Sequence, residues 1–226
     1  MTRGRLIALC SPAMGSGKST AAQYLVDHGY DLVKFAGPLK RMTRALLRCC
    51  GVSGIVIDRY VDGDLKEVPI GDLGEFLPEY AVAMLQAMGP VPGAVTLTQG
   101  EIIDSLVEWG RATVVPGVTS RRLQQTLGTE WGREKIHTNL WVMIAIDEAD
   151  LSRADGIHVV IDDMRFPNEF EAVEAADGES RRIVRPGFAV TGGAHASEGQ
   201  LDLIQMPEIW NTGTVEDLQR AIAALL

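Results

Sequence analysis

Apolar positions recur along this chain in two rhythms, short runs of strand type and longer stripes of helical period. Leu6-Ile7-Ala8-Leu9-Cys10 is a short apolar run ending at a turn, and from Ser19 to His28 the pattern is that of an amphipathic helix with Ala22, Leu25 and Val26 inward. Asp31 to Phe35 reads as a second short strand. Gly37-Pro38 stops it and opens a helix, proline suiting a first turn, and Lys40, Arg41 and Arg44 ride on that helix. From Gly51 to about Gly117 glycines and prolines break the pattern repeatedly, and two helical pieces survive, Pro78 to Ala87 and Gln99 to Trp109. So long a structureless stretch is unusual inside a compact domain. Residues 51–117 are therefore expected to form an inserted, largely helical substrate-binding or lid subdomain, with residues 1–50 and 118–226 as the core.

Regular structure returns at Ser120. Leu123, Leu127 and Trp131, four residues apart, predict an apolar helical stripe that leaves Arg122, Gln125 and Thr129 on a polar face. Leu140 to Ile146 is apolar all round and predicts a buried helix. Ile157 to Ile161 is β-branched and predicts a buried strand running into Asp162-Asp163-Met164-Arg165. A helix from Asn168 to Ala176, strands at Arg182 to Arg185 and Glu208 to Trp210, and a last helix from Thr214 complete the chain, with Thr214 and Asp217 spaced as a capping box. Strands alternating with helices predict an α/β fold with a mainly parallel central sheet flanked by helices.

Composition narrows the function. With 46% hydrophobic and 23% charged residues the chain should fold, and its 226 residues suit one core with an insertion. A formal net charge of -9 leaves no broad basic surface, so neither a polynucleotide nor an anionic membrane is an expected partner. The three cysteines follow no disulfide or metal-ligand spacing and read as reduced thiols. The first residues lead into an apolar run too short for a signal peptide or a membrane span, so a cytoplasmic protein is expected.

The chemistry begins at Cys10-Ser11-Pro12-Ala13-Met14-Gly15-Ser16-Gly17-Lys18-Ser19-Thr20, between strand and helix. Gly15, Gly17, Lys18 and Ser19 fit a phosphate-binding loop, in which backbone N–H groups and a helix N-terminus face phosphate, lysine supplies charge and serine ligates Mg²⁺. Pro12 stands where the usual pattern has its first glycine, so the chain enters the loop differently while the cradle survives. The bland alternative is a glycine-serine turn capping a structural helix, with Lys18 solvated; strand before and helix after favour the nucleotide site. No Asn-Lys-x-Asp and no Leu-Ser-Gly-Gly-Gln occurs, which disfavours a GTPase and a transporter-type ATPase. Phosphoryl transfer needs concentrated positive charge, and in an acidic chain Arg121-Arg122 and Arg165 stand out. Arg121-Arg122 also reads as a solvated helix start. Asp163, just after a buried strand, either organises magnesium-bound water or a substrate hydroxyl, or caps the next helix.

These segments together resemble the bacteriophage deoxynucleoside monophosphate kinase family, within the P-loop nucleoside monophosphate kinase superfamily. The residues that carry the likeness are Gly15 to Thr20, Phe35 to Lys40, Arg121 to Thr129, Leu140-Trp141-Val142, Asp163-Met164-Arg165 with Glu169, Val184 to Gly187 and His195-Ala196-Ser197-Glu198. The resemblance implies a P-loop kinase fold and ATP-dependent phosphorylation of a deoxynucleoside 5′-monophosphate, ordinary or base-modified, for phage DNA precursor synthesis in the host cytoplasm. It implies ATP at Gly15, Ser16, Gly17, Lys18, Ser19 and Thr20, with Mg²⁺ on Ser19 directly and on Asp163 through water. It implies acceptor contacts from Lys40, Arg121, Arg122, Gly128, Thr129, Trp141, Asp163, Arg165 and Glu169, and catalysis by Lys18, Arg122, Asp163 and Arg165. Ser19 stands where relatives often carry aspartate. Trp141 either stacks on base or ribose or packs in the core, and His195 and Glu198 either shape the adenine side or belong to an ordinary loop. A homodimer is the default expectation. Competing readings are a kinase of another small acceptor, of the dephosphocoenzyme-A kind, and a P-loop ATPase that needs no acceptor.

Overall fold

The computed structural model describes residues 2–13, 15–187 and 200–226, so His195 and Glu198 lie outside the described residues. The chain divides into two compact units, residues 1–35 with 145–226, and residues 36–144. The first holds a five-stranded parallel sheet of order β2-β3-β1-β4-β5, made of β1 (Leu6–Cys10), β2 (Tyr30–Val33), β3 (His158–Ile161), β4 (Glu179–Val184) and β5 (Glu208–Trp210). All five residues of β1 are buried, as a strand between two neighbours and two helical layers requires. Ile7 and Leu9 pack with α1 (Lys18–Asp27) and α9 (Val215–Ala223) through Ala21, Leu25, Leu218 and Ile222. Leu6, on the other pleat, crowds Gly178 together with Val173 of α8 (Pro167–Ala175). The α/β fold with a parallel sheet is thus as expected. Among the described residues no helix is long and apolar enough to cross a membrane.

Boundaries shift where charge is compensated. β4 starts at Glu179 and not at Arg182, because Arg5 and Arg181 pair with Glu179, at 2.9 and 2.7 Å, and let a charged segment join the sheet. α7 (Leu140–Ala154) runs past Ile146 to a buried Arg153, whose guanidinium donates to the carbonyls of Gly4 at 2.9 Å and Ala176 at 2.8 Å. The predicted capping box is present at α9: Thr214 N donates to Asp217 Oδ2 at 2.8 Å and Asp217 N to Thr214 Oγ1 at 3.3 Å.

The second unit is helical. It contains α2 (Gly37–Cys49), α3 (Gly54–Val61), α4 (Pro78–Met88), α5 (Gln99–Thr113), α6 (Ser120–Thr126), a π-helix (Leu127–Ile136) and the first turn of α7. One apolar cluster joins them, including Leu46, Ile57, Phe76, Met84, Leu106, Leu127, Trp131 and Trp141. The division differs from the expected insertion: residues 51–117 lie wholly inside a larger unit, since the helices on either side of them share its core. The helix α3 carries no sequence signal strong enough to predict it, being short and bounded by glycine. Leu123, Leu127 and Trp131 are all buried, as their spacing predicts, but from Leu127 onward the helix widens to π geometry. Each buried indole N–H finds an acceptor: Trp109 in Thr126 Oγ1 at 3.2 Å, Trp131 in Ser105 Oγ at 3.0 Å and Trp141 in the Gly128 carbonyl at 2.9 Å.

Candidate functional site

In the sheet unit β1 is the strand from which the order runs outward in both directions, and ligands of open parallel sheets bind beyond the carboxyl ends of strands at such a switch. Ser11, Pro12 and Ala13 leave β1 there, and Gly15, Ser16 and Gly17 lead into α1. Ser11 Oγ accepts from Ala13 N at 3.3 Å and donates to Ala13 O at 2.9 Å, so the serine turns the chain around Pro12. Gly15 and Gly17 have φ of 76° and 99°, a region that side chains disfavour. A Cβ on Gly17 would also stand 2.6 Å from Asn211 Nδ2 and 2.8 Å from Leu218 Cδ2. Asn211 Nδ2 donates to the Ser16 carbonyl at 2.8 Å, and Arg185 Nη1 to the Gly15 carbonyl at 3.1 Å. Holding a carbonyl fixes its peptide plane and with it the direction of the next N–H.

The first turn of α1 carries no acidic residue and no side-chain cap, whereas α5 and α9 each have a capping box with an acid. Its orphan N–H groups and dipole are left for an external anion. The cavity beside it has a volume of about 660 Å³ and is lined by the loop, by Met164 and Arg165, and by Asn211 and Thr214 near α9. Lys18, the first residue of α1, lines it as well. Burial and, next, the Arg165 guanidinium hold the Lys18 ammonium below its ordinary pKa, against the pull of Asp163 and Asp162. The ammonium is thus poorly solvated there, a cost that an anion beside it would offset.

The two aspartates after β3 do different things. Asp162 is 5% exposed and pairs with Lys34 at 2.7 Å, while Asp163 is half-buried and accepts from Phe35 N at 2.9 Å. Glu169 is 3% exposed and takes the N–H of Arg165 at 2.6 Å and of Phe166 at 3.0 Å. Its Oε2 takes both bonds and so shapes the segment that carries Asp163 and Arg165. Arg165 itself is exposed.

The remaining expected acceptor residues lie in the helical unit. Lys40 pairs with Asp62 at 2.6 Å, Arg121 with Glu67, and Arg122, on the surface, more loosely with Glu130 at 3.5 Å. Thr129 is exposed and Gly128 buried. For Trp141 the structure corrects the stacking expectation in favour of the core: the indole is 4% exposed, its N–H bonded to Gly128 and its ring against Trp131 at 6.1 Å, so no face is open to a base. Asn211, Arg185 and Arg182 are site features that the site expectation omits. Arg182 lines the cavity and donates to the carbonyls of Leu201 and Ile204, at 2.7 and 2.8 Å. Of the three only Arg185 had a signal, the Val184 to Gly187 segment.

The donor set suits Mg²⁺. Ser19 is exposed in the first turn of α1 and Asp163 offers a half-buried carboxylate, both hard oxygen ligands, and no cluster of three or more His, Cys, Asp or Glu among the described residues builds a closed cage. Mg²⁺ in nucleotide sites takes few protein ligands and completes its shell with phosphate and water.

Residues 99–222, more than half of the chain, match the sequence model of the family described as deoxynucleotide monophosphate kinase. The glycine-bearing turn between β1 and α1 precedes that match. The deoxynucleoside-5′-monophosphate kinase of Escherichia phage T5 is 39% identical over 54 residues, 24% of this chain and 21% of that protein, so the alignment spans about a fifth of the phage enzyme. A protein of Acanthamoeba polyphaga mimivirus, provisionally named a deoxynucleotide monophosphate kinase, is 28% identical over 213 residues, 92% of this chain and 89% of that one. The solved structure of TT1252 from Thermus thermophilus aligns over 99% of this chain and 97% of that one, at 18% identity and a TM-score of 0.36, a likeness too low to carry an argument.

Proposed function

The chain belongs to the deoxynucleotide monophosphate kinase family, and from that premise we propose that it transfers the γ-phosphoryl group of ATP to the 5′-phosphate of a deoxynucleoside monophosphate, ordinary or base-modified, in deoxynucleotide supply for viral DNA. The observation that carries the reading is the uncapped start of α1, with Gly15 and Gly17 at positive φ and Lys18 on the same cavity. In this reading the loop N–H groups and Lys18 bind the β- and γ-phosphates, and the same cavity, lined also by Thr214 and Val215, takes the nucleoside of the donor. Arg165 faces the charge that spreads over the transferring oxygens. Asp163 orients metal-bound water or the sugar, and Glu169 keeps that segment in shape. Ser19, and Asp163 through water, would hold Mg²⁺, which would supply charge to neutralise phosphate. Lys40, Arg121 and Arg122 hold the acceptor's phosphate. An oxygen of that phosphate forms the new P–O bond as the bond from the γ-phosphorus to the bridging oxygen of ADP breaks, and the product is a deoxynucleoside diphosphate.

A coupled ADP-release assay over the four common deoxynucleoside monophosphates and base-modified analogues tests the reading; ADP release that no acceptor stimulates would sink it. Phosphorus NMR of the product distinguishes a new diphosphate from a phosphorylated ribose hydroxyl. Arg122→Ala should raise the acceptor KM by about tenfold, the scale of one exposed charge-assisted contact, and leave the KM for ATP in place.

A pH profile tests Lys18 separately. Because burial and Arg165 lower its pKa, the free enzyme loses the Lys18 charge earlier on the alkaline side than an ordinary lysine near 10.5 does. The kcat/KM for ATP, which reports the free enzyme, should fall with an apparent pKa below that value, and Arg165→Met should move the limb upward. A limb unmoved by that substitution would show that another group controls it.

A further inference from the structure

The cations assigned to the acceptor are already paired, and two of the pairs come from one acidic stretch. Asp58, Asp62, Asp64 and Glu67 fall in and just after α3. Lys40 and Arg44 stand four residues apart on α2, where two like charges repel. Asp62 lies between them, one carboxylate oxygen on Lys40 Nζ at 2.6 Å and the other on Arg44 Nη2, while Asp58 takes Arg44 Nε at 2.8 Å. Glu67 takes Arg121 Nε. Burial works to raise the Asp62 carboxyl, and Lys40 and Arg44 outweigh it, so the group sits below its ordinary pKa and is ionised at neutral pH.

Uncharged contacts fix where these carboxylates stand. The buried Gln124 of α6 donates to the Val61 carbonyl at 3.0 Å, one residue before Asp62. Arg121 N donates to the Lys66 carbonyl at 3.0 Å, one residue before Glu67, and Ile70 N to the Val118 carbonyl at 2.8 Å. The stretch is thus built to present negative charge to α2 and α6.

We propose that Asp62 and Glu67 are internal stand-ins for the acceptor's phosphate: they hold Lys40 and Arg121 before the nucleotide arrives, yield them to its phosphate, and so set acceptor affinity. This rests on Lys40 and Arg121 being acceptor ligands. The exchange is favourable because each carboxylate carries one charge and is well exposed, at 41% and 63% of its side chain, where ion pairs are weak, whereas a phosphate monoester carries nearly two charges and three acceptor oxygens. The pairing keeps like charges from repelling without binding them so tightly that substrate cannot compete.

The test is steady-state kinetics of the full chain with dAMP, dCMP, dGMP and dTMP at saturating ATP. Asp62→Asn and Glu67→Gln keep shape and remove charge, and each should lower the KM of accepted monophosphates by about two- to fivefold, the measure of an exposed pair, with the KM for ATP unchanged. Lys40→Met and Arg121→Met should raise it. Should the two methionine variants raise the KM while both amide variants leave it unchanged or raise it, the stand-in role is overturned and the acceptor assignment survives. Should neither methionine variant move the KM, both fall. Glu67→Gln, at an exposed side chain, reads the effect even if Asp62→Asn folds poorly, which a thermal melt reports.

Discussion

Lys18→Ala abolishes acceptor-dependent ADP release, with kcat reduced by about a hundred- to a thousandfold or more, the scale of removing one preorganised electrostatic contact from a phosphoryl-transfer site. The size follows from what surrounds the ammonium. Burial and, next, Arg165 hold it below its ordinary pKa, so its charge is poorly solvated and an anion beside it would be strongly favoured. The substitution removes no side-chain cap, since α1 starts without one. The variant should therefore melt at the native temperature or slightly above, with a desolvated charge gone. Loss of turnover with a native melt is the expected pair of results; turnover within tenfold of native would overturn the loop assignment. Lys18→Arg should not restore activity, because a planar fork does not replace a point charge in a closed glycine cradle.

Gly132→Ala should produce a large loss of stability in the helical unit. A Cβ at Gly132 would lie 2.3, 2.6 and 2.7 Å from three atoms of the Trp141 indole. That ring cannot swing aside, since its N–H is bonded to the Gly128 carbonyl and Trp131 packs beside it. Overpacking of this kind costs about 1–3 kcal/mol, and with roughly 2–4 °C per kcal/mol for a chain of this size the melting temperature should fall by about 2–12 °C. Gly128→Ala is the internal control. There the new methyl would meet only the end of Leu39, at 3.3 Å, and that side chain can give way. Equal melting temperatures for the two variants would refute the argument, whereas partial rescue of Gly132→Ala by Trp141→Phe would support it through coupling of the two sites.

The two predictions differ in how far the sequence foretold them. Lys18 was legible because everything that marks it is local: the apolar run Leu6 to Cys10, the two glycines and the helical stripe after them fit within one short window. The capping box at Thr214 and Asp217 was legible for the same reason. Trp141 was not, because an apolar helix opening with tryptophan reads alike whether its ring meets a ligand or Trp131. Nor was the π-helix, since Leu123, Leu127 and Trp131 fall on one side in either helical form.

Residues that act by holding others were the least visible. Asn211 and Arg185 grip the carbonyls of Ser16 and Gly15 from 195 and 170 residues away. Asp62 reaches Lys40 only because α3 folds against α2 and α6, and α3 had no periodic signal of its own. Glu169 was singled out as an acceptor residue, and that its Oε2 also holds the N–H groups of Arg165 and Phe166 had no signal in the sequence.

By itself, then, the sequence determined the α/β fold, the strands of the parallel sheet and the glycine-bearing turn between β1 and α1, because hydrophobic period and glycine spacing act within a short window. Tertiary structure alone decided which charges are already neutralised, which aromatic rings are core and which side chains fix the loop's peptide planes. Those outcomes depend on hydrogen bonds and ion pairs between segments distant in the chain, whose partners exist only once the sheet has ordered its strands and the helices have closed their core.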